Sequence, residues 1–273
     1  MSILAISQSL GSLGDEIGRK LAQSLSYEFA DREIILRAAE RFGEGVKALE
    51  HVTEERPTLW ERFTETQQRY LTFIEAIIWE LAARDNVILS GRGGPFVLRN
   101  VRHALRVKIT APAGVRAKRA ERQGLTPEAA AHAVHQSDRE RAARIRFLFH
   151  VDWDDPLLYD LVLNTDRVDA NVAVGLIQAA LQNERFQPTQ DSLGKVKDLS
   201  LLAQAKATLL VHPLTRQLQL SLACESGHVA ITGIVERKDL EKAAVEVVGT
   251  IPGVIGVRSE ITVVPPHAHR GAV

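Results

Sequence analysis

The first 25 residues constrain the fold of this chain more than any other stretch. An apolar run over residues 3–6 is long enough for a buried strand, and a loop of small residues follows it over 7–14. A helix is predicted next, because Ile17, Leu21 and Leu25 recur at helical spacing. Such a strand, loop and helix aim backbone amides and the positive end of the helix dipole at one point, as a phosphate-binding site requires. No lysine follows the last glycine of the loop, in contrast to the signature G-x-x-x-x-G-K-[ST], so a tight turn without a ligand stays an alternative.

Composition narrows the class of protein. The chain has 273 residues, enough for one large domain or two smaller ones, and 45% hydrophobic with 25% charged residues is typical of a globular protein. Lys+Arg and Asp+Glu are both 34, so net charge does not indicate a nucleic-acid partner or a membrane surface. Cys224 is the single cysteine, which excludes an intrachain disulfide. No run of about 18 apolar residues and no secretory leader is recognisable, so we expect a cytoplasmic protein without a membrane span.

Strands and helices alternate along the first two thirds of the chain. A short strand is predicted to end at Ala30, and a connection covers residues 43–58, before a long helix at 59–84. The other predicted strands lie at residues 86–90, 104–110 and 159–165, and the other helices begin near residues 34, 115, 136 and 168. This order predicts an α/β fold: a doubly wound parallel sheet with helices on both faces.

Two charged residues follow predicted strands directly. Asp31 comes after the second strand, where it is either the N-cap of the next helix or a carboxylate near the phosphate loop. Arg92 lies in the glycine-rich turn after the strand at 86–90. Because ligands bind at the carboxyl ends of parallel strands, Arg92 is predicted to meet an anion, with an exposed turn residue as the alternative.

Basic residues are concentrated in the middle of the chain. Residues 92–146 contain 13 Lys+Arg and four Asp+Glu, an excess of nine in a neutral chain. On a helix, Arg141 and Arg144 share a face, with Asp138 one turn earlier. A solvated face explains most of these charges, yet the concentration favours a polyanionic small molecule as ligand.

The pattern changes after a polar stretch with Pro188 and Gly194. We predict a first domain at residues 1–187, a linker at 188–195 and a second domain at 196–264. A helix, two alternating strands joined at Ser226-Gly227, a helix and a last strand give the second domain the order αββαβ, a small α+β unit. Residues 265–273 are predicted to be a disordered tail. His267 and His269 lie there, too few for a metal site, and no protein-held metal is predicted.

Five motifs in residues 3–183 resemble the cytidylate kinase-like family of P-loop nucleoside monophosphate kinases. The family's opening I-S-R-E-Y-G-S-G-G-R-E-I-G-R-K-L-A is similar to residues 6–22, and its Y-D-R-E-L-I to residues 30–35. Its V-G-R-G resembles residues 90–93, its D-K-E-R-A residues 138–142, and its W-x-D-P-x-x-Y-D-L-x-I-N-T residues 153–165. The common order of the five motifs makes the resemblance specific, and it implies a P-loop NTPase-type sheet.

The resemblance also implies an activity and a site. A kinase of this family uses Mg²⁺ and transfers the γ-phosphoryl group of ATP to a nucleoside monophosphate. The resemblance implies CMP as the preferred acceptor. The implied donor-binding residues are Gly11, Ser12, Leu13, Gly14, Asp15 and Glu16. Asp31 and Arg92 are implied to bind the acceptor. The implied catalytic lid consists of Arg119, Arg122, Arg139, Arg141 and Arg144.

The second domain resembles a BON domain. The similarity rests on Gly227-x-Val229-x-Ile231-Thr232-Gly233-x-Val235, on Ala243-Ala244 and on Pro252-Gly253-Val254-x-x-Val257. BON domains share no catalytic residues, so the resemblance implies binding or assembly, with a small ion, a lipid or a protein as the partner.

The chain departs from the kinase family at two positions where the family has arginine. Gln8 and Asp15 replace these arginines, and Asp15 brings a negative charge to the place where donor phosphates approach, unless it caps the helix. Two hypotheses therefore remain: an active phosphotransferase, or a degenerate kinase that senses nucleotides and regulates through its BON module.

Overall fold

The computed structural model describes residues 2–54 and 65–264. Contacts within the chain divide it into a unit that ends at Leu193 and a unit that begins at Gly194. In the described ranges, no helix is both long enough and apolar enough to cross a membrane.

The first unit is built on a five-stranded parallel sheet, as predicted. Its strands are β1 (Ile3–Gln8), β2 (Glu28–Ala30), β3 (Val87–Ser90), β4 (Ala104–Thr110) and β5 (Leu161–Asn164). They are arranged in the order β2-β3-β1-β4-β5, and every neighbouring pair is parallel. The apolar runs at the centre of the sheet are buried, including all four residues of β3. This burial is expected of a parallel sheet that is covered on both faces.

Helices cover both faces of this sheet. They are α1 (Gly14–Leu25), α2 (Arg32–Phe42), α3 (Val46–Glu54), α4 (Glu65–Arg84), α5 (Gly94–Val97), α6 (Ala113–Glu121), α7 (Pro127–Phe149) and α8 (Ala170–Leu181). Helices α1 and α8 share a core cluster with Leu4 and Ile6 of β1. Helix α5 lies on the opposite face, where Gly94 approaches Ala5 and Leu89. Because β1 lies between β3 and β4, the loop after β1 is at the point where the chain changes direction across the sheet, which is where open α/β sheets bind ligands.

The predicted connection at residues 43–58 was wrong over most of its length. Helix α3 occupies residues 46–54, and residues 55–58 lie outside the described part of the chain. The amides of Ala48 and Leu49 begin the helix by donating to the carbonyl oxygen of Gly45, at 3.0 and 3.2 Å. Leu49 is fully buried, and α3 contacts α2, α4 and α7. Tertiary packing therefore stabilises a helix too short for its own propensity to reveal. The predicted long helix at 59–84 is observed as α4 from Glu65; residues 59–64 are outside the described range.

The second unit has the predicted order αββαβ. Its elements are α9 (Gln190–Val211), β6 (Leu220–Glu225), β7 (His228–Val235), α10 (Lys238–Gly249) and β8 (Gly256–Val263). Strand β7 is central, antiparallel to β6 and parallel to β8. Leu201 and Ala205 of α9, Val229 and Ile231 of β7 and Ala244 of α10 share a core cluster.

The conformation predicted for residues 188–195 needs a correction, because α9 begins at Gln190 and runs through most of this polar stretch. Thr189 and Ser192 form reciprocal capping bonds. The Ser192 amide donates to Thr189 Oγ1 at 3.2 Å, and the Thr189 amide donates to Ser192 Oγ at 2.9 Å. Such reciprocal bonds satisfy amides that a helix start leaves without partners, so Pro188 precedes a helix here. The domain boundaries themselves stay a prediction, and the predicted tail at 265–273 lies outside the described residues.

Candidate active site

The loop between β1 and α1 has a backbone that requires glycine at its centre. Gly11 has a φ of +75°, and a Cβ atom there would lie 2.8 Å from the carbonyl oxygen of Arg116. The loop is fastened to β4, because the Ser9 amide donates to the Ile109 carbonyl at 3.1 Å and the hydroxyls of Ser9 and Thr110 lie 3.0 Å apart. The loop is therefore held in one shape at the amino end of α1, where amides and the helix dipole favour a phosphate.

Two arginines of α6 bind the carbonyl oxygens of this loop. Arg116 is 5% exposed; its Nη1 donates to the Leu10 carbonyl at 3.3 Å, and its two Nη atoms donate to Asp138 at 3.0 and 2.6 Å. Arg119 Nη1 donates to the Gly11 carbonyl at 3.0 Å, and Nη2 donates to the Thr165 carbonyl at 2.6 Å. Arg116 was not predicted as a site residue. Arg119 brings positive charge to the loop, whereas the charge of Arg116 is balanced by Asp138.

A cavity of about 300 Å³ opens at the carboxyl ends of β1 and β3. Its lining includes five of the polar residues discussed here, Gln8, Asp31, Arg92, Arg141 and Arg144, together with aromatic and aliphatic side chains of α5 and α7. Three arginines outnumber the two carboxylates, Asp31 and Glu140, around this small cavity, which makes it suited to an anion that also presents hydrogen-bonding groups.

Asp31 and Arg92 approach each other at one side of the cavity. Arg92 Nη2 lies 3.4 Å from Asp31 Oδ1, and the Arg92 side chain is 11% exposed. Asp31 occupies the N-cap position of α2, but its side chain makes no capping hydrogen bond. The Asp31 side chain therefore lines the cavity instead of capping the helix, and its role in binding the acceptor stays a prediction. Arg92 has a φ of +52°, which is uncommon for a residue other than glycine and directs attention to a functional site.

Arg141 and Arg144 extend from α7 on the face that the sequence predicted. Arg144 is 7% exposed. Arg141 Nε is buried and has no hydrogen-bond acceptor among the described residues, while the guanidinium lies 5.7 Å from the centre of the Trp153 ring. Burial lowers the pKa of Arg141, the positive charge of Arg92 lowers it further, and the carboxylates of Asp138, Asp31 and Asp15 oppose this shift. Arginine stays protonated nonetheless, so the buried cation favours an anionic ligand.

Three of the five predicted lid arginines lie outside the cavity, and Arg119, which binds the loop, is one of them. Arg122 and Arg139 are exposed, and neither lines the cavity. Their side chains make no hydrogen bond or ion pair with residues in the described ranges. Their catalytic role stays a prediction, which depends on a ligand that would draw them in.

Gln8 and Asp15 interact across the start of α1. Gln8 Nε2 donates to Asp15 Oδ1 at 2.7 Å and lies 3.4 Å from the Ser90 hydroxyl. A Cβ at Gly14 would lie 1.9 Å from Gln8 Oε1, so the Gln8 side chain lies directly over Gly14. Any side chain at position 14 would therefore require Gln8 to move. Asp15 does not cap α1, because Leu13 holds the N-cap position.

A buried cluster around Trp153 and Lys108 lies beside the cavity and was not predicted from the sequence. Trp153 Nε1 donates to Ser7 Oγ at 2.9 Å, and Lys108 Nζ donates to the Trp153 carbonyl at 2.9 Å and to Asp154 Oδ1 at 2.7 Å. Lys108 Nζ also lies 4.1 Å from the centre of the Trp153 ring. The cluster fixes the ring beside Arg141. A charged residue inside an apolar strand, together with the W-x-D-P motif, is the signal that identifies it.

The residues present fit a nucleotide with Mg²⁺. The buried guanidinium nitrogen of Arg141 requires an acceptor, and the loop offers amides at a helix start. Mg²⁺ in kinases is held by substrate phosphates and one or two carboxylates. Asp31 lines the cavity, and Asp15 is hydrogen-bonded to Gln8, which also lines it. Glu16, the other predicted acidic residue of the loop, pairs with Lys20 at 2.8 Å.

Comparisons with known proteins agree with this architecture. The chain is 26% identical over 195 residues to a cytidylate kinase from Pyrococcus furiosus, covering 71% of this chain and 94% of that protein. It is 28% identical over 190 residues to a cytidylate kinase from Methanopyrus kandleri, covering 66% of this chain and 92% of that protein. The structure of an uncharacterized protein from Eubacterium ventriosum has the same fold, with a TM-score of 0.53 and 19% identity over 67% of this chain and all of that one.

Family models match both parts of the chain. The BON domain model matches residues 197–265. The model of the cytidylate kinase-like family matches residues 3–167, more than half of the chain. The chain therefore belongs to the cytidylate kinase-like family.

Proposed function

We propose that this protein transfers the γ-phosphoryl group of ATP to a nucleoside monophosphate, in the cytoplasm. The cavity carries the proposal, because Arg92, Arg141 and Arg144 converge there beside a phosphate loop. Phosphoryl transfer requires in-line positioning and neutralisation of charge on the oxygens, with little covalent chemistry from the protein. A cavity with three arginines next to a helix start supplies both.

Each side of the site has a separate task. The loop from Gly11 to Gly14 binds the donor phosphates through its amides, and Arg116 and Arg119 keep its shape by binding its carbonyl oxygens. Arg92 and Asp31 bind the acceptor, the first through its phosphate and the second through a hydroxyl or amino group. Arg141 and Arg144 lie between the two and stabilise the charge of the phosphoryl group in transfer. Mg²⁺ supplies further neutralisation when it is bound with ATP.

CMP is the first acceptor to test, since the relatives are cytidylate kinases. The experiment combines ATP and Mg²⁺ with each nucleoside monophosphate in turn and measures ADP formation. We expect turnover with CMP to exceed turnover with AMP and GMP. Equal or greater turnover with a purine monophosphate would exclude the pyrimidine preference, while the phosphotransferase assignment would stand.

A nucleotide sensor is the second candidate function. Gln8 and Asp15 favour it, because a P-loop lysine normally places its charge on the β- and γ-phosphates and here a carboxylate follows Gly14 instead. We expect a turnover below the ordinary kinase range of about 1–100 s⁻¹. Nucleotide binding in calorimetry without ADP formation from any acceptor would favour the sensor, whose output then lies in the BON domain and its ion, lipid or protein partner.

A further inference from the structure

The carboxylate of Asp15 is held by Gln8 in the first turn of α1, directly after the phosphate loop. Gln8 holds its Oδ1 at 2.7 Å, while Oδ2 makes no hydrogen bond within the described ranges. Asp15 itself is exposed at the first turn of α1. Two features thus coincide: the amide of Gln8 that holds one carboxylate oxygen, and a second carboxylate oxygen that is available for a ligand.

A fixed carboxylate beside a phosphate loop repels a nucleotide whose charge is not neutralised. The cavity that Gln8 lines contains the buried Arg141 Nε, which has no acceptor in the described part of the chain and therefore points independently to an anionic ligand. A carboxylate next to an anion site allows a phosphate to bind most readily when a cation lies between the two. Mg²⁺ prefers carboxylate and phosphate oxygens, so the negative charges can share it.

We propose that Asp15 is a protein ligand of the divalent cation that accompanies the donor nucleotide, and that Gln8 is the residue that positions it. Asp15 thereby makes nucleotide binding depend on the metal: it weakens the binding of metal-free ATP and strengthens the binding of Mg·ATP. This inference rests on the proposed donor site. It assigns to Asp15 a constructive role, in contrast to the repulsion expected from the sequence.

The test measures a coupling free energy between metal and nucleotide. Titration calorimetry gives the dissociation constant of ATP with full-length protein in excess EDTA and again in excess Mg²⁺, for the wild type and for Asp15→Asn. We expect Asp15→Asn to weaken Mg·ATP binding by about tenfold and to leave metal-free ATP binding unchanged or tighter. The ratio of the dissociation constant in EDTA to the dissociation constant in Mg²⁺ should therefore fall by at least about tenfold.

Glu16→Gln is the matched control, because it removes the same charge from the same helical turn. Its carboxylate pairs with Lys20 and is one residue farther along α1. We expect Glu16→Gln to change both dissociation constants equally and to leave their ratio at the wild-type value. Gln8→Ala frees the Asp15 side chain, so we expect it to lower the ratio by less than Asp15→Asn does.

The outcomes separate this inference from the proposed function. If Asp15→Asn strengthens the binding of metal-free ATP and of Mg·ATP equally, Asp15 acts by repulsion alone and the inference is wrong. If the wild type and Asp15→Asn have the same ratio of dissociation constants in EDTA and in Mg²⁺, the inference is also wrong, while the phosphotransferase proposal is unaffected. If the wild type binds ATP in neither condition, the assignment of the donor site is wrong. The phosphotransferase proposal and the role proposed for Asp15 are then both wrong. A supporting measurement is Mn²⁺ paramagnetic resonance, in which Asp15→Asn should lose the ATP-dependent protein-bound signal.

Discussion

At the scale of single residues, Arg141 is a cation whose Nε is buried in the cavity without an acceptor in the described ranges. Its burial lowers its pKa, which is the sign of a desolvated charge. We expect Arg141→Ala to weaken nucleotide binding by about tenfold or more, because a charge-assisted contact to a phosphate is worth about 1.5–3 kcal/mol. The melting temperature should stay unchanged or rise, since a desolvated cation is removed. Titration calorimetry and thermal unfolding measure the two quantities.

Arg146→Ala is the control for this prediction. Arg146 lies on the same helix, five residues farther, and is exposed outside the cavity. Removing it alters the net charge by the same amount without altering the cavity. If the two variants weaken binding equally, Arg141 acts only through the net charge of the protein, and its assignment to the site is wrong.

His103 determines a second property at this scale, the dependence of stability on pH. The ring is fully buried, and neither of its nitrogens has a hydrogen-bond partner in the described part of the chain. Burial lowers the pKa of His103, although the negative charge of Asp85 opposes this. The unfolded chain therefore binds a proton that the folded chain does not, so stability is fully present above the usual histidine pKa of about 6.5 and is lost as pH falls below it.

Urea unfolding at pH 7.5 and pH 5.0 tests this. We expect the free energy of unfolding to fall between these values, and to fall less in His103→Leu, which cannot take up a proton. Carboxylates elsewhere contribute to the wild-type difference, so the comparison between the two proteins carries the result. A variant as sensitive to pH as the wild type would show that His103 is protonated without cost.

The sequence predicted the site unevenly, residue by residue. Arg92 and Asp31 follow directly from their positions after strands, because all carboxyl ends of a parallel sheet lie at one edge. Arg141 and Arg144 follow from their common helical face. The contact between Gln8 and Asp15, seven residues apart, depends on how the loop turns back over α1, and no local pattern encodes such a turn.

At the scale of elements, α6 holds the phosphate loop and α7 in one assembly through Arg116. This side chain binds the carbonyl oxygens of Ala111 and Leu10 and the carboxylate of Asp138. We expect Arg116→Ala to lower the free energy of unfolding by about 3 kcal/mol, the lower part of the range for breaking a buried pair, because Asp138 is partly exposed. Nucleotide binding should weaken as well, since the loop loses its support.

Denaturant unfolding measures the first effect and titration calorimetry the second. Lys118→Ala is the control on the same helix, because the Lys118 side chain is exposed and makes no hydrogen bond or ion pair in the described ranges. If Arg116→Ala is as stable as this control, the pair with Asp138 contributes nothing to the fold. If stability falls while nucleotide affinity is unchanged, the loop keeps its shape without Arg116.

Element boundaries were predictable where one local signal decided them. Strand β4 begins and ends at the predicted residues 104 and 110, because its apolar pattern stops there before Ala111-Pro112. Helix α9 begins earlier than predicted because capping by Thr189 and Ser192 outweighs the nearby Pro188 and Gly194. Those two residues were interpreted as signs of a linker. Capping by a serine in place of an acidic residue is a weaker signal in a sequence.

At the scale of the whole molecule, the two units have separate cores. The core of the first unit includes Phe186, which packs against the cluster of β1, β4 and α8, and Gln187 Nε2 donates to the Leu181 carbonyl at 2.7 Å. The core of the second unit consists of residues from Leu201 onward. Phe186 and Gln187 thus belong to the packing of the first unit, and α9 begins shortly after them at Gln190.

We predict that a chain truncated after Gln187 folds cooperatively and keeps the nucleotide affinity of the full chain. Autonomous folding requires a separate core, and 187 residues exceed the about 100–150 of a common single domain. Urea unfolding followed by circular dichroism and by tryptophan fluorescence should give one coincident transition, because Trp153 is buried in this unit. A shorter chain that ends at Gln182 is the control, because it lacks Phe186 and Gln187 and should therefore be less stable. An insoluble or molten chain of residues 1–187 would show that α9 belongs to the core of the first unit, and the boundary would then move past Leu193.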